Sequence, residues 1–173
     1  MSTRSLLASV NLSHVRRDYA WYTVATLFNC EESYIRNLKD AMAGAGLSDY
    51  VQEYYVPLKF IQEKKKGKDG KPVKKVRKVK GDYSGYVFVK CILTARVWNF
   101  LRTTKGVAVV LTSGGFPDEI PQEEIDKIRA HQAPEGFDAG ELCKLQVQLC
   151  DEYKFEVTKP ELLDSDFNTD FTT

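Results

Sequence analysis

The segment Gly85–Leu93, GYVFVKCIL, is apolar on both faces of any strand it forms, apart from Lys90. A strand with one wet face alternates polar and apolar residues. A strand that does not alternate is covered on both faces, which places this one in the middle of a sheet. The rest of the chain has to supply its neighbours. With 173 residues, 43% of them apolar, the length suits one domain plus an appendage.

Candidate neighbours are easy to find. Trp21–Leu27, WYTVATL, is β-branched and aromatic and predicts a strand. Asn29 is placed to cap a following helix, with Glu32 completing a capping box. Ile35, Leu38, Met42 and Ala45 recur at helical spacing; Gly44 and Gly46 weaken the end, and Gly46 stops it. Val51–Ile61 predicts a second strand, with Pro57 marking an edge or an irregularity. The polar turn KKKGKDGK at 64–71, followed by Val73, Val76 and Val79 among lysines, predicts a β-hairpin with a basic tip. After the central strand, Thr94 caps a helix whose apolar face is Val97, Phe100 and Leu101, with Trp98 beside them. Gly106 breaks that helix. Val107–Leu111 then predicts a buried strand, SGGFPDE a loop, and Pro121 the first turn of a third helix with Ile125 and Ile128 as its stripe. Gly136 ends the region.

The order is β-α-β-β-β-α-β-α, an α+β class. An antiparallel sheet flanked by helices, in the ferredoxin-like split β-α-β pattern with the basic hairpin inserted, is the expected architecture. Residues 1–19 are expected to be a disordered leader, 20–133 the folded domain, and 134–173 a linker and acidic region. Residues 135–173 carry ten acids against Lys144, Lys154 and Lys159, and the last stretch, SDFNTDFTT, has little to bury. No apolar run is long enough to span a membrane, and the start lacks a signal-peptide core, so a cytoplasmic protein is expected. Cys30, Cys91, Cys143 and Cys150 form no CxxC pair and read as reduced, apolar fillers; no metal and no cofactor are expected.

No catalytic constellation emerges, and an enzyme is not expected. His14 lies in the leader and His131 at a helix end, without a nucleophile partner. The pairs Glu31-Glu32 and Glu123-Glu124 sit at helix starts, where the dipole accounts for them. Gly114-Gly115 is followed by Phe116-Pro117 rather than Lys-Ser or Lys-Thr, so it is no phosphate loop.

Binding features are stronger. Residues 59–80 hold 11 of the 25 Lys and Arg against two acids, a local +9, while the remainder of the chain carries −8. A lysine run of this kind is either a solvated tip or a phosphate contact. Tyr83, Tyr86 and Phe88 lie along one strand entry, Tyr86 and Phe88 on one face. That face is either core or an exposed aromatic interface, and for Phe88 the two readings balance.

These residues resemble a known family. AWYTVAT resembles the WYVV start of the NusG amino-terminal (NGN) domain, and YVPLKFIQE its VPTEEVVE segment. DYSGYVFVK resembles FPGYVLV, VWNFLRTTKGVAVVL the W-x-x-V-R-x-T-P-G-V stretch, and IPQEEIDKI the P-x-S-x-x-E-V segment. The five motifs stand in order across about residues 20–132. Ser84 and Lys105 stand where the family has proline.

The resemblance implies an NGN-type domain and a transcription elongation or antitermination factor. Such a factor binds the clamp helices of the largest subunit of RNA polymerase and modulates pausing or termination. By position, Tyr83, Ser84, Tyr86, Phe88 and Ala25 would form the clamp-helix patch, and Trp21 would build the core. Arg102, Thr103, Thr104 and Lys105 would lie near the non-template DNA strand. The hairpin, with Lys64, Lys65, Lys66, Lys68, Lys74, Lys75, Arg77 and Lys78, would face the other pincer, upstream DNA or nascent RNA. A monomer with no membrane partner is implied. FDAGE at 137–141 resembles the start of the family's KOW barrel. Its later signature does not follow, so that domain is expected to be absent, truncated or degenerate. The competing reading is a stand-alone RNA- or DNA-binding module acting through the lysine-rich hairpin.

Overall fold

The computed structural model describes residues 10–80, 83–131 and 154–167; for 58–65 and 73–80 it describes the backbone. In chain order the elements are β1 (Ala20–Thr26), α1 (Glu31–Gly44), β2 (Val51–Tyr55), β3 (Leu58–Lys66), β4 (Pro72–Lys80), β5 (Tyr86–Cys91), α2 (Ala95–Thr103), β6 (Val107–Val110), β7 (Thr112–Ser113), β8 (Phe116–Pro117), β9 (Glu119–Ile120) and α3 (Gln122–Ala130). The main sheet runs β2-β5-β1-β6, antiparallel throughout, with β9 also pairing β1. Leaving out the inserted hairpin, this is the ferredoxin-like order. The segment apolar on both faces, β5, lies between β2 and β1, as its composition requires.

The alternation of β1 and β5 sends side chains to two unlike layers. On one face Tyr22 and Val24 of β1 meet Val87, Val89 and Cys91 of β5, together with Val51 and Tyr54 of β2. Tyr34, Ile35, Leu38 and Met42 of α1 and Val97, Trp98 and Leu101 of α2 close over them. Each such side chain contributes about 1.5–3 kcal/mol by leaving water. The Tyr34 hydroxyl donates to the Leu101 carbonyl at 2.7 Å, so the two helices are joined by a satisfied buried polar group. On the other face Trp21, Tyr55 and Phe88 pack with Ile125 of α3, with Ile120 and Ile128 at the rim.

Local signals work where the backbone obeys them. The Thr94 hydroxyl accepts from the Val97 N–H at 3.2 Å and caps α2. Helix α1 ends in a Schellman arrangement: Gly46 has φ +70°, its N–H reaches the Ala43 carbonyl, and the Leu47 N–H reaches Met42. Pro57 separates β2 from β3.

Four expectations are corrected. Asn29 does not cap α1: Cys30 is the N-cap, without a side-chain capping bond, and Asn29 sits in the left-handed region at φ 58° to turn the corner out of β1. Val107–Val110 is an edge strand rather than a buried one, with Ala108 and Val109 exposed. The SGGFPDE stretch is a two-residue hairpin, β7–β8, because Gly114 and Gly115 both take positive φ.

The fourth concerns the ends. Residues 10–19 are part of the fold: Val10 and Leu12 alternate into the main core, and the Asn11 N–H bonds the Gly115 carbonyl at 2.9 Å. Residues 154–167 return along the free edge of β2, where the Phe155 N–H donates to Gln52 and the Phe155 ring meets Tyr54 edge-on at 6.1 Å. They finish in a 3-10 turn, Asp164–Phe167, with Phe167 buried beneath the Arg17 guanidinium. Residues 1–9, 132–153 and 168–173 lie outside the described residues, and with them Gly136, the FDAGE stretch, Cys143, Cys150 and most of SDFNTDFTT. Among the described residues no helix is long and apolar enough to cross a membrane.

Candidate functional site

Helix α3 covers only one end of its face of the sheet. At the covered end Trp21 is 2% exposed and its indole N–H donates to Gln122 at 2.8 Å. The Arg129 guanidinium lies over the Trp21 and Tyr55 rings, 5.4 and 4.7 Å from their centroids, and is paired with the Glu53 carboxylate. Phe88 is stacked on Tyr55 at 6.0 Å and only 3% exposed. It is therefore core, because α3 supplies a third layer above it. Sequence alternation assigned Phe88 its face, but whether that face is covered depends on a helix more than thirty residues away.

The other end of the same face is open. The register sets Ala25 between Tyr86 on β5 and Val109 on β6. Ala25 and Tyr86 are half-buried, and Val109 is 53% exposed. The turn before β5 adds Tyr83, 45% exposed, and the exposed Ser84; the corner after β1 adds Leu27 at 54% and Phe28 at 86%. Five large or branched apolar side chains thus gather where β1 ends and β5 begins. Scattered exposed apolar residues need no explanation, but a gathering at one place marks an interaction surface.

That surface is built on held backbone. The Thr26 N–H and hydroxyl both donate to the Gly85 carbonyl, at 2.7 and 3.1 Å. The Leu27 N–H donates to the Gly106 carbonyl at 2.8 Å. Gly85 and Gly106 take φ of +88° and +103°, conformations that glycine adopts without a Cβ penalty.

The residues expected near nucleic acid separate. Thr103, the last residue of α2, and Lys105 beyond it are exposed, and the Thr103 hydroxyl donates to the Asn99 carbonyl at 2.6 Å. Arg102 is half-buried, with Nη2 donating to the Asn99 side chain at 3.1 Å. Thr104 is 8% exposed and its hydroxyl donates to the Phe100 carbonyl at 2.6 Å, so it finishes the helix rather than facing a ligand. In the hairpin, β3 and β4 pair over their full length, with Lys64 opposite Lys74 and Glu63 opposite Lys75. The tip turns through Gly70 at φ +71°, and Lys66 and Lys68 are exposed there. The side chains of Lys64, Lys65, Lys74, Lys75, Arg77 and Lys78 lie outside the described residues.

Sequence reasoning missed Leu27, Phe28 and Val109. An apolar pair in the corner between a strand and a helix start was the available signal for the first two. For Val109 the run Val107–Leu111 gave no alternation to read. Elsewhere, burial pushes the Cys91 thiol and the phenols of Tyr22, Tyr34 and Tyr54 above their ordinary values, so all stay protonated at neutral pH.

The chain is similar to known proteins. A family model described as transcription termination factor nusG matches residues 19–129. The transcription termination/antitermination protein NusG of Chlamydia trachomatis serovar D is 32% identical over 112 residues, 65% of this chain and 58% of that protein. The protein of the same name from Halalkalibacterium halodurans is 31% identical over 111 residues, 62% of this chain and 59% of that one. A solved structure of Thermotoga maritima NusG covers 64% of this chain and 55% of its own, at 26% identity and a TM-score of 0.49. The chain therefore spans somewhat under three fifths of the length of these relatives.

Proposed function

The chain belongs to the NusG family, and from that membership we propose that it is a non-enzymatic transcription elongation or antitermination factor that docks on RNA polymerase. The docking surface is the open end of the sheet, and the partner is the paired clamp helices of the largest subunit. The observation that carries this reading is the exposed apolar set Tyr83, Val109, Leu27 and Phe28 around half-buried Tyr86 and Ala25. Aromatic rings on a held backbone suit such a surface, since they offer contact area with little rotamer entropy to lose.

The basic elements take the second role. Thr103 at the end of α2, Lys105 beyond it, and the hairpin face nucleic acid once the body is docked. The composition supports this: residues 59–80 hold 11 Lys and Arg against two acids. Such contacts read phosphate rather than sequence and weaken with salt.

The test is retention of purified RNA polymerase by the immobilised protein. Wild type is expected to retain it, and Tyr83→Ala and Tyr86→Ala each to lower affinity by about tenfold, the loss seen at well-packed interface aromatics. Equal retention by all three, or by none, overturns the reading. Replacing Lys66 and Lys68 with Ser is expected to leave polymerase retention intact and to flatten the salt dependence of DNA binding.

A further inference from the structure

Glu31 opens α1, where a carboxylate is ordinarily explained by the helix dipole. That explanation does not require burial, yet Glu31 is 8% exposed. Its Oε1 accepts the Gly85 N–H at 3.0 Å, across 54 positions of sequence. Gly85 is thereby held from two sides: its N–H by the first residue of α1, its carbonyl by both donors of Thr26 on β1. Gly85 closes the turn that carries Tyr83 and Ser84, in which the Tyr86 N–H returns to the Tyr83 carbonyl at 3.2 Å. Three positions before Glu31 stands Phe28, the most exposed of the large apolar side chains among the described residues. The carboxylate therefore ties together the two turns that display the apolar surface.

We infer that Glu31 is a positioning residue for that surface: it fixes the Tyr83–Gly85 turn against the Leu27–Phe28 corner so that both present one preorganised face. The inference rests on the docking reading proposed above. Its physical basis is that a partner gains affinity when the loops it meets are already ordered, because ordering them on binding opposes association. A carboxylate is the suitable group, since a charge-assisted acceptor binds a backbone N–H about twice as strongly as a neutral one.

The experiment compares wild type, Glu31→Gln and Glu31→Ala by amide hydrogen exchange and by affinity for RNA polymerase. Glutamine keeps an acceptor of the same reach; alanine leaves the Gly85 N–H without it. Glu31→Ala is expected to speed exchange at Gly85 by about tenfold, with Val87 and Val89 of β5 unchanged, in keeping with loss of one hydrogen bond to a charged group. Polymerase affinity is expected to fall by about tenfold in the same variant and by under about threefold in Glu31→Gln. Unchanged Gly85 exchange in Glu31→Ala overturns the inference whatever the polymerase does. Faster exchange with undiminished affinity overturns it too, while leaving the docking reading standing. Failure of wild type itself to bind polymerase overturns the docking reading, and the exchange data then still report whether Glu31 holds the turn.

Discussion

The two faces of the main sheet are made by the same two strands and end differently. One face is closed along its length by α1 and α2, and every inward residue of β1 and β5 on it is buried. The other is closed at the Trp21 end by α3 and open at the Ala25 end. The strands do not distinguish these ends: Trp21, Thr23 and Ala25 alternate alike, opposite Lys90, Phe88 and Tyr86. The difference comes from the reach of a single nine-residue helix. Alternation decides which way a side chain points, and the next layer decides whether it is core or interface.

The comparison can be broken most forcefully on the closed face. Leu38→Ala removes a fully buried side chain from the inward face of α1 and is expected to cost about 2–5 kcal/mol, read as a shift in urea unfolding. Val109→Ala on the open end is expected to stay within about 0.5 kcal/mol, as surface substitutions do. A large loss at Val109 would mean that the open end is packed after all.

The closed end of the α3 face offers a smaller, sharper test. Arg129→Met leaves the buried Glu53 carboxylate without its guanidinium partner. Breaking a fully buried pair costs about 3–5 kcal/mol; Arg129 keeps 22% of its side chain in water, so roughly 2 kcal/mol is expected. Trp21 lies beneath that guanidinium, so its fluorescence should become more quenchable if α3 loosens. An unchanged signal would show that Ile125 and the Gln122 bond to Trp21 hold the helix without the ion pair.

Smallest is the cap of α2. Thr94→Ala is expected to cost about 1 kcal/mol and, since Thr94 is buried under the closed face, to leave polymerase affinity where it was. A loss of affinity at that position would couple the two sides of the sheet.

Much of the architecture was legible in the residues. The central place of β5 followed from its doubly apolar composition, the end of α1 from Gly46, and the start of α2 from Thr94. Those features depend on a few neighbouring positions. What was not legible depends on distant chain. Phe88 is core because Ile125 lies over it, and Val109 is exposed because α3 does not reach its end of the face. Asn29 matched a capping pattern, but the corner out of β1 demanded a positive φ from it, which removed it from the cap. At the candidate site, Tyr83, Tyr86 and Ala25 were found from family motifs. Leu27 and Phe28, which carry the greatest exposure, fall between those motifs.

The paired ribbon of β3 and β4 has one further consequence. Nine residues per arm at about 3.4 Å each span about 30 Å, several times the roughly 10 Å over which salt leaves a charge perceptible. The acidic body and the exposed tip lysines Lys66 and Lys68 are thus electrically separate. Whatever grips the body turns any touch by the tip into an intramolecular event, so weak attraction out there is multiplied by local concentration rather than by affinity.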